Sequence, residues 1–221
     1  MENALIIGDS GGIGGAVAER LRSLNVAVTG LSRSRDGLDV TDEGSIRDGF
    51  KRLEAPFDLV FVATGALEIE GSKPEKTIKS LSSKALADQY LLNAIGPMLV
   101  LKYAVPFFPR QRPAVFAALS ARVGSIGDNR LGGWYSYRAA KSGVNQLMHT
   151  ASVELARTHR HLACVCLHPG TVETAFTRKY ASRYPTVTAP EAAERLVKVM
   201  QGLTAEDTGR FLDYAGQEIP W

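Results

Sequence analysis

Tyr137 and Lys141 stand four residues apart in Tyr137-Arg138-Ala139-Ala140-Lys141, near the start of a long stretch with helical periodicity. On a helix, residues i and i+4 share a face and lie about 6 Å apart. A free tyrosine titrates near 10, so proton exchange near neutral pH requires its phenolate to be favoured by roughly 2–3 pH units, or about 3–4 kcal/mol. An ammonium one turn away supplies part of that. The spacing therefore points to a phenol used as acid and base. The nearby Tyr135 has no lysine four positions on. The pattern occurs often by chance, so its weight comes from what surrounds it.

A second candidate lies at the start of the chain, in Gly8-Asp9-Ser10-Gly11-Gly12-Ile13-Gly14-Gly15. It follows the short apolar run Ala4–Gly8 and precedes a helical stripe of Ile13, Val17, Leu21 and Leu24. A pyrophosphate must approach main-chain N–H groups closely, which favours residues without Cβ. It also gains from the positive end of a helix dipole, and the stripe places a helix start there. Gly8, Gly12 and Gly14 give the spacing G-x-x-x-G-x-G. A mere tight turn is the competing reading.

The elements that must position these residues alternate along the chain. Apolar runs predict strands at Ala4–Gly8, Val26–Leu31, a very short Leu38–Val40, Asp58–Thr64, Ala114–Leu119, Leu162–Leu167 and Arg210–Asp213. Helical segments are expected over Ile13–Leu24, Glu43–Leu53, Lys84–Phe108, Trp134–Arg157 and Pro190–Gly202, with a bend at Pro97. Such alternation predicts an α/β fold: a Rossmann-type, doubly wound parallel sheet with helices on both faces. The 221 residues are read as one domain spanning 1–221. Glu68–Ser83 and Glu173–Ala189 read as loops, and loops at the carboxyl ends of strands are where this architecture binds its ligand.

Composition narrows the classes. Hydrophobic residues make up 45% and charged residues 22%, an ordinary globular mixture that excludes a disordered tail, a collagen and a coiled coil. No uninterrupted apolar run nears the ~20 residues of a bilayer span, and the first ten residues lack the basic start of a signal peptide, so no membrane association is expected. Cys164 and Cys166 are two apart in an apolar run, which predicts buried, reduced thiols on one strand face and a cytoplasmic protein. The net charge of +3, without a block of Lys or Arg, gives no reason to expect nucleic-acid binding. His149, His159 and His161 lack metal-ligand spacing, so no metal is expected. His168 reads as a packed neighbour rather than a base.

With the glycine turn and Tyr137–Lys141 in this order, the chain resembles the short-chain dehydrogenase/reductase family. That family's turn is usually T-G-x-x-x-G-I-G; here Ile7 replaces the Thr, while Gly8, Gly12, Ile13 and Gly14 match. The resemblance implies a nicotinamide dinucleotide held by Gly8, Ser10, Gly11, Gly12, Ile13 and Gly14. Arg33, with Ser32 and Ser34 beside it, suits the 2′-phosphate of NADP, since guanidinium and phosphate pair bidentately. NAD is the alternative, with Asp36 as the acid on the ribose if the strand ends later. Asp39-Val40 resembles the family's pair beside the adenine. Ala63-Thr64-Gly65 stands where the family often has Asn-Ala-Gly. Pro169-Gly170-Thr171-Val172-Glu173-Thr174 resembles its P-G-x-x-x-T, with Pro169, Gly170, Val172 and Thr174 toward the nicotinamide.

The resemblance implies four catalytic residues: Tyr137, Lys141, a serine after the fifth predicted strand, and Asn93, whose neighbourhood holds a relay water. Ser120 ends the apolar run where the family serine sits, and Ser125, 12 residues before Tyr137, has the closer spacing; Ala121 stands where many members carry a second serine. Ser120 is the preferred assignment. The implied reaction is hydride transfer between nicotinamide and a small carbonyl or alcohol substrate. Phe176, Tyr180 and Tyr184 are candidate walls of the substrate pocket. Two stretches, Arg122–Ser142 and Arg210–Trp221, look like the small carbonyl-reductase-like C-factor branch. A homodimer or homotetramer is the family expectation. A dinucleotide-binding signalling or interaction protein with little turnover is the competing function.

Overall fold

The computed structural model describes residues 1–54, 56–174 and 186–221. Among the described residues, six strands form one sheet in the order β2-β1-β3-β4-β5-β6. They are β1 (Asn3–Ile7), β2 (Ala27–Leu31), β3 (Leu59–Val62), β4 (Ala114–Leu119), β5 (Leu162–His168) and β6 (Phe211–Asp213), and every neighbouring pair is parallel. β3 and β4 are buried along their whole length, which is why they read as unbroken apolar runs rather than as alternation. The chain moves outward from β1 to β2 and then returns to β3 on the other side. That reversal opens a crevice at the carboxyl ends of β1 and β3.

Two helical layers cover the sheet. One core joins Leu5, Ile7, Val60 and Phe116 to Ile46 and Phe50 of α3 (Glu43–Phe50) and Val100 of α5 (Gly96–Ala104), with Met148 of α6 (Tyr135–Leu155). The other joins Ile6, Phe61 and Val165 to Val17 and Leu21 of α1 (Gly12–Ser23) and Leu196 of α7 (Ala189–Gly202). Cys164 and Cys166 are free and buried in the first of these cores, on one strand face as expected.

The expected strand Leu38–Val40 does not form. Ser32 O accepts from Leu38 N at 3.3 Å, Ser45 Oγ accepts from Asp39 N at 2.9 Å, and Asp39 Oδ1 accepts from Thr41 N at 2.9 Å. These turn bonds use the donors a ladder would need, and β2 is left as the sheet edge. A short helix, α2 (Arg33–Asp36), fills the turn after β2. Leu38 and Val40 are nevertheless buried, because their side chains seal the core beneath the turn.

The expected helix Lys84–Phe108 is divided. It comprises α4 (Ser83–Tyr90), a π-turn at Leu91–Ile95, α5, and a 3₁₀ turn at Val105–Phe107. Pro97 has no N–H to return to the carbonyl of residue 93, so the wider turn falls just before it. Ser83–Phe107, 25 residues that include an 18-residue window of mean hydropathy 1.3, has the length and composition of a bilayer crossing. Its packing against α3 and α6 accounts for the apolar content within the fold.

Candidate active site

The glycine turn folds as a tight loop between β1 and α1. Gly8 has φ +91°, its N–H donates to Leu31 O at 2.7 Å, and Gly11 N–H donates back to Gly8 O at 3.0 Å. A Cβ on Gly14 would lie 2.3 Å from Gly8 O, so only glycine lets α1 start this close to β1. Ser10, Gly11 and Gly12 are exposed at the turn, while Gly14 is buried beneath it. A Cβ on Gly12 would lie 2.9 Å from Thr174 Cγ2. The segment after β5 therefore closes over the turn, and the first and last predicted cofactor elements meet there.

Other predicted residues line the same edge of the sheet. A Cβ on Gly8 would meet Ala63 and Thr64, and one on Gly170 (φ +80°) would press on the Tyr214 ring. Val172 is buried and its segment bridges to Val187. Two shielded oxygens, Thr64 Oγ1 and Asp9 Oδ1, have no hydrogen-bond partner among the described residues. The turn thus holds more polar capacity than the chain satisfies, which fits a cleft for a polar dinucleotide.

Around β2, Arg33 is exposed and makes no ion pair among the described residues, whereas Arg35 pairs with the buried Asp9 at 2.8 Å. Asp36 caps α2: its Oδ2 accepts from Ser32 N at 2.8 Å and from Ser32 Oγ at 3.3 Å. The acid that an NAD reading would use is therefore engaged in its own turn. Asp39 is held by Thr41, whose hydroxyl bond lowers its pKa, and Val40 packs against Gly96.

Tyr137 and Lys141 lie on the inner face of α6, at 7% and 2% exposure. Lys141 Nζ donates to Leu119 O at 2.8 Å and sits 5.7 Å from the centre of the Tyr137 ring. A Cβ on Gly65 would lie 2.7 Å from Asn93 Oδ1 and 3.6 Å from Lys141 Nζ. Gly65, Asn93 and Lys141 thus converge at the carboxyl end of β3. Burial pushes the Tyr137 phenol up and the Lys141 ammonium down to about 8. The protein's own groups therefore leave the phenol less acidic than a free tyrosine, and the adjacent ammonium does not reverse the loss of water.

Asn93 is fully buried and its side chain is committed to the loop after β3. Its Oδ1 accepts from Ala66 N at 3.3 Å, and its Nδ2 donates to Ala66 O at 3.0 Å and Gln89 Oε1 at 2.7 Å. Both candidate serines are also engaged. Ser120 Oγ donates to Asn145 Oδ1 at 2.7 Å, and Ser125 Oγ accepts from Asp128 N at 3.0 Å. Donation from Ser120 to a substrate would require that hydroxyl to turn away from Asn145. Burial pushes His168 down to about 4, which keeps it neutral. No group of His, Cys, Asp or Glu fit to hold a metal occurs among the described residues. Phe176, Tyr180 and Tyr184 lie outside the described residues.

Sequence reasoning missed Gln89, whose Oε1 accepts from Asn93 Nδ2, and the pair of Glu75 and Ser136, whose buried side chains meet at the start of α6. Gln89 had a usable signal, since it stands four residues before Asn93. Glu75 had none, because it lies within a polar loop without periodicity.

A model of the short chain dehydrogenase family matches residues 2–185. The chain belongs to the short-chain dehydrogenase family. It is an NAD(P)-dependent oxidoreductase. Among curated proteins it is 27% identical, over the full length of both chains, to 1-hydroxy-2-glutathionyl-2-methyl-3-butene dehydrogenase of Rhodococcus sp. (strain AD45). It is 33% identical to C-signal of Myxococcus xanthus, over 62% of this chain and 78% of that protein. Among solved structures, a short-chain dehydrogenase/reductase from Burkholderia multivorans with bound NADP covers 100% of this chain with 99% of its own, at TM-score 0.81 and 25% identity. The NADPH-bound carbonyl reductase from chicken fatty liver shares the fold at TM-score 0.86 and 24% identity, covering 100% of this chain and 94% of its own.

Proposed function

We propose that this oxidoreductase is an NADP(H)-dependent reductase of small aldehydes and ketones, with Tyr137 as the proton donor. The observation that carries the reading is the convergence of Tyr137, Lys141, Asn93 and Gly65 at the crevice that the glycine turn also faces. Bound nicotinamide supplies the hydride and, when oxidised, a positive charge. Gly8, Gly12 and Gly14 let main-chain N–H groups reach the phosphates, and the start of α1 favours their charge. Arg33 holds the 2′-phosphate, the role that its exposure and its lack of an ion pair among the described residues leave it fit for. Tyr137 gives its proton to the carbonyl oxygen. Lys141, fixed by Leu119 O, favours the phenolate that remains. Ser120 steadies the substrate oxygen once its hydroxyl leaves Asn145.

Purified protein with NADPH and a panel of aldehydes and ketones tests the reaction, read by loss of absorbance at the reduced nicotinamide. Turnover with NADPH at least tenfold above NADH, dependent on Tyr137 and narrowed by Arg33→Ser, is expected. Absence of turnover together with absence of nucleotide binding defeats the reading. The likeness to C-signal favours a second reading, a dinucleotide-binding signalling protein with little turnover. Tight NADPH binding with no turnover on any carbonyl would select it.

A further inference from the structure

We propose that Glu75 is a positioning residue for the reaction: it caps the catalytic helix and holds the turn that sets Tyr137 in the crevice. This rests on the reading of Tyr137 as proton donor. The entry into α6 is unusual in two respects. Gly132, Gly133 and Trp134 have φ of +63°, +66° and +53°, three left-handed residues in succession. A side chain there costs about 1–2 kcal/mol, so Trp134 needs outside support. Trp134 is also the N-cap, and an indole has no acceptor for the free N–H groups of the first turn.

Glu75 provides what the helix lacks. It reaches in from the loop between β3 and α4, 61 residues earlier than Ser136, and is only 5% exposed. Its main-chain oxygen accepts from Trp134 N at 2.6 Å. Its Oε2 accepts from Ser136 N at 3.2 Å, and its Oε1 takes the Ser136 hydroxyl. A carboxylate at this end of a 21-residue helix also meets the positive pole of the dipole. Without these donors a shielded carboxylate would be costly, so its placement is tied to this one helix start.

Arg138 completes the clamp from within the helix. Its Nε donates to Gly133 O at 2.9 Å and its Nη1 to Val123 O at 3.2 Å, joining the turn to the segment after β4. Tyr137 lies between the two clamped residues, with the Trp134 ring edge-on to its own at 6.3 Å. On the other side, Gln89 Nε2 donates to Leu67 O at 2.9 Å while its Oε1 holds Asn93. Leu67, Glu75, Gln89 and Tyr137 line one cavity. The loop after β3 therefore sets the helix of Asn93 and the helix of Tyr137 relative to each other.

The test compares Glu75→Asp, Glu75→Gln and Tyr137→Phe with the unaltered protein. Glu75→Asp keeps the charge but falls one methylene short of Ser136. Glu75→Gln keeps the reach, with an oxygen for Ser136 N–H and an amide for its hydroxyl. Turnover is measured with NADPH and the best substrate of the carbonyl panel, and NADPH affinity by fluorescence titration. Misplacing Tyr137 by a fraction of an ångström should lower kcat in Glu75→Asp by about tenfold or more. NADPH affinity should stay within twofold, and Glu75→Gln should recover kcat to within threefold. Wild-type kcat in Glu75→Asp, equal loss in both variants, or a matching loss of NADPH affinity would overturn the proposal. If Tyr137→Phe retains turnover, the proton-donor reading fails as well. If it is inactive while Glu75→Asp is unimpaired, only the role of Glu75 fails.

Discussion

The ammonium of Lys141 donates to the carbonyl oxygen of Leu119 at 2.8 Å, across 22 residues of sequence. The helix supplies the spacing to Tyr137, but the end of β4 fixes where the amine points. Gly65 leaves the space beside it, since a Cβ there would lie 3.6 Å from Nζ. Three segments of the chain thus aim one cation at one phenol, in a place where burial opposes both charges.

That opposition predicts a pH dependence of stability. The folded pKa of Lys141 is about 8, below its ordinary 10.5. Between pH 8 and 10.5 the unfolded chain holds a proton that the folded chain has released, so this group adds stability as pH rises through the window. Below it both states are charged, and the burial penalty, at most about 3 kcal/mol, applies in full. Lys141→Met removes the penalty at every pH. Its advantage over the unaltered protein in urea unfolding should be largest near pH 7 and shrink toward pH 10. A difference that stays flat over this range counts against a depressed lysine.

Tyr137→Phe keeps the ring and its contact with Trp134 while removing the proton. Carbonyl turnover should fall by about 10²–10⁴, the usual contribution of a positioned acid. NADPH affinity should stay within twofold of the unaltered protein, because the phosphates are held by the glycine turn. Retained turnover would assign the proton to another group.

The sheet was legible from its apolar runs because β3, β4 and β5 are buried almost throughout, and burial leaves its mark directly on composition. Leu38–Val40 misled for the same reason: its two apolar side chains serve the core, while its backbone serves a turn. Tyr137 and Lys141 were legible because a helix makes i and i+4 neighbours. The bond between Lys141 and Leu119 and the one between Glu75 and Ser136 follow no period, since only the folded chain brings their elements together. The pKa directions were not legible either, because desolvation depends on what the fold places around each group.

Glycine packing gives a prediction with two signs. A Cβ on Gly14 would lie 2.3 Å from Gly8 O and 2.9 Å from Gly8 C, both backbone. Gly14→Ala should therefore cost about 1–3 kcal/mol or more and open the nucleotide turn, weakening NADPH binding. Gly202, at the end of α7, has nothing among the described residues within 4 Å of the same atom. Gly202→Ala should stabilise by about 0.4–1 kcal/mol by restricting the unfolded chain. Urea midpoints of the two variants should move in opposite directions.

Ser120 and Asn145 make the last and most discriminating pair. The Ser120 hydroxyl donates to Asn145 Oδ1 at 2.7 Å, both residues are buried, and Asn145 Nδ2 has no partner among the described residues. Ser120→Ala strands the acceptor and should cost about 1–3 kcal/mol of stability. Asn145→Ala removes the acceptor and its unpartnered amide but leaves the Ser120 hydroxyl unpaired, whereas the double variant removes both partners and should show a coupling energy of about 0.5–3 kcal/mol. The same variants separate structure from chemistry. A Ser120 that also serves the substrate oxygen predicts that Ser120→Ala loses turnover on the order of tenfold or more. Asn145→Ala, which frees the hydroxyl, should then keep turnover or raise it. Ser125→Ala, which loses only the bond from Asp128 N, should leave kcat near its original value. Loss of kcat in Ser125→Ala with none in Ser120→Ala would transfer the role to Ser125, and the bond to Asn145 would stand as a purely structural link between β4 and α6.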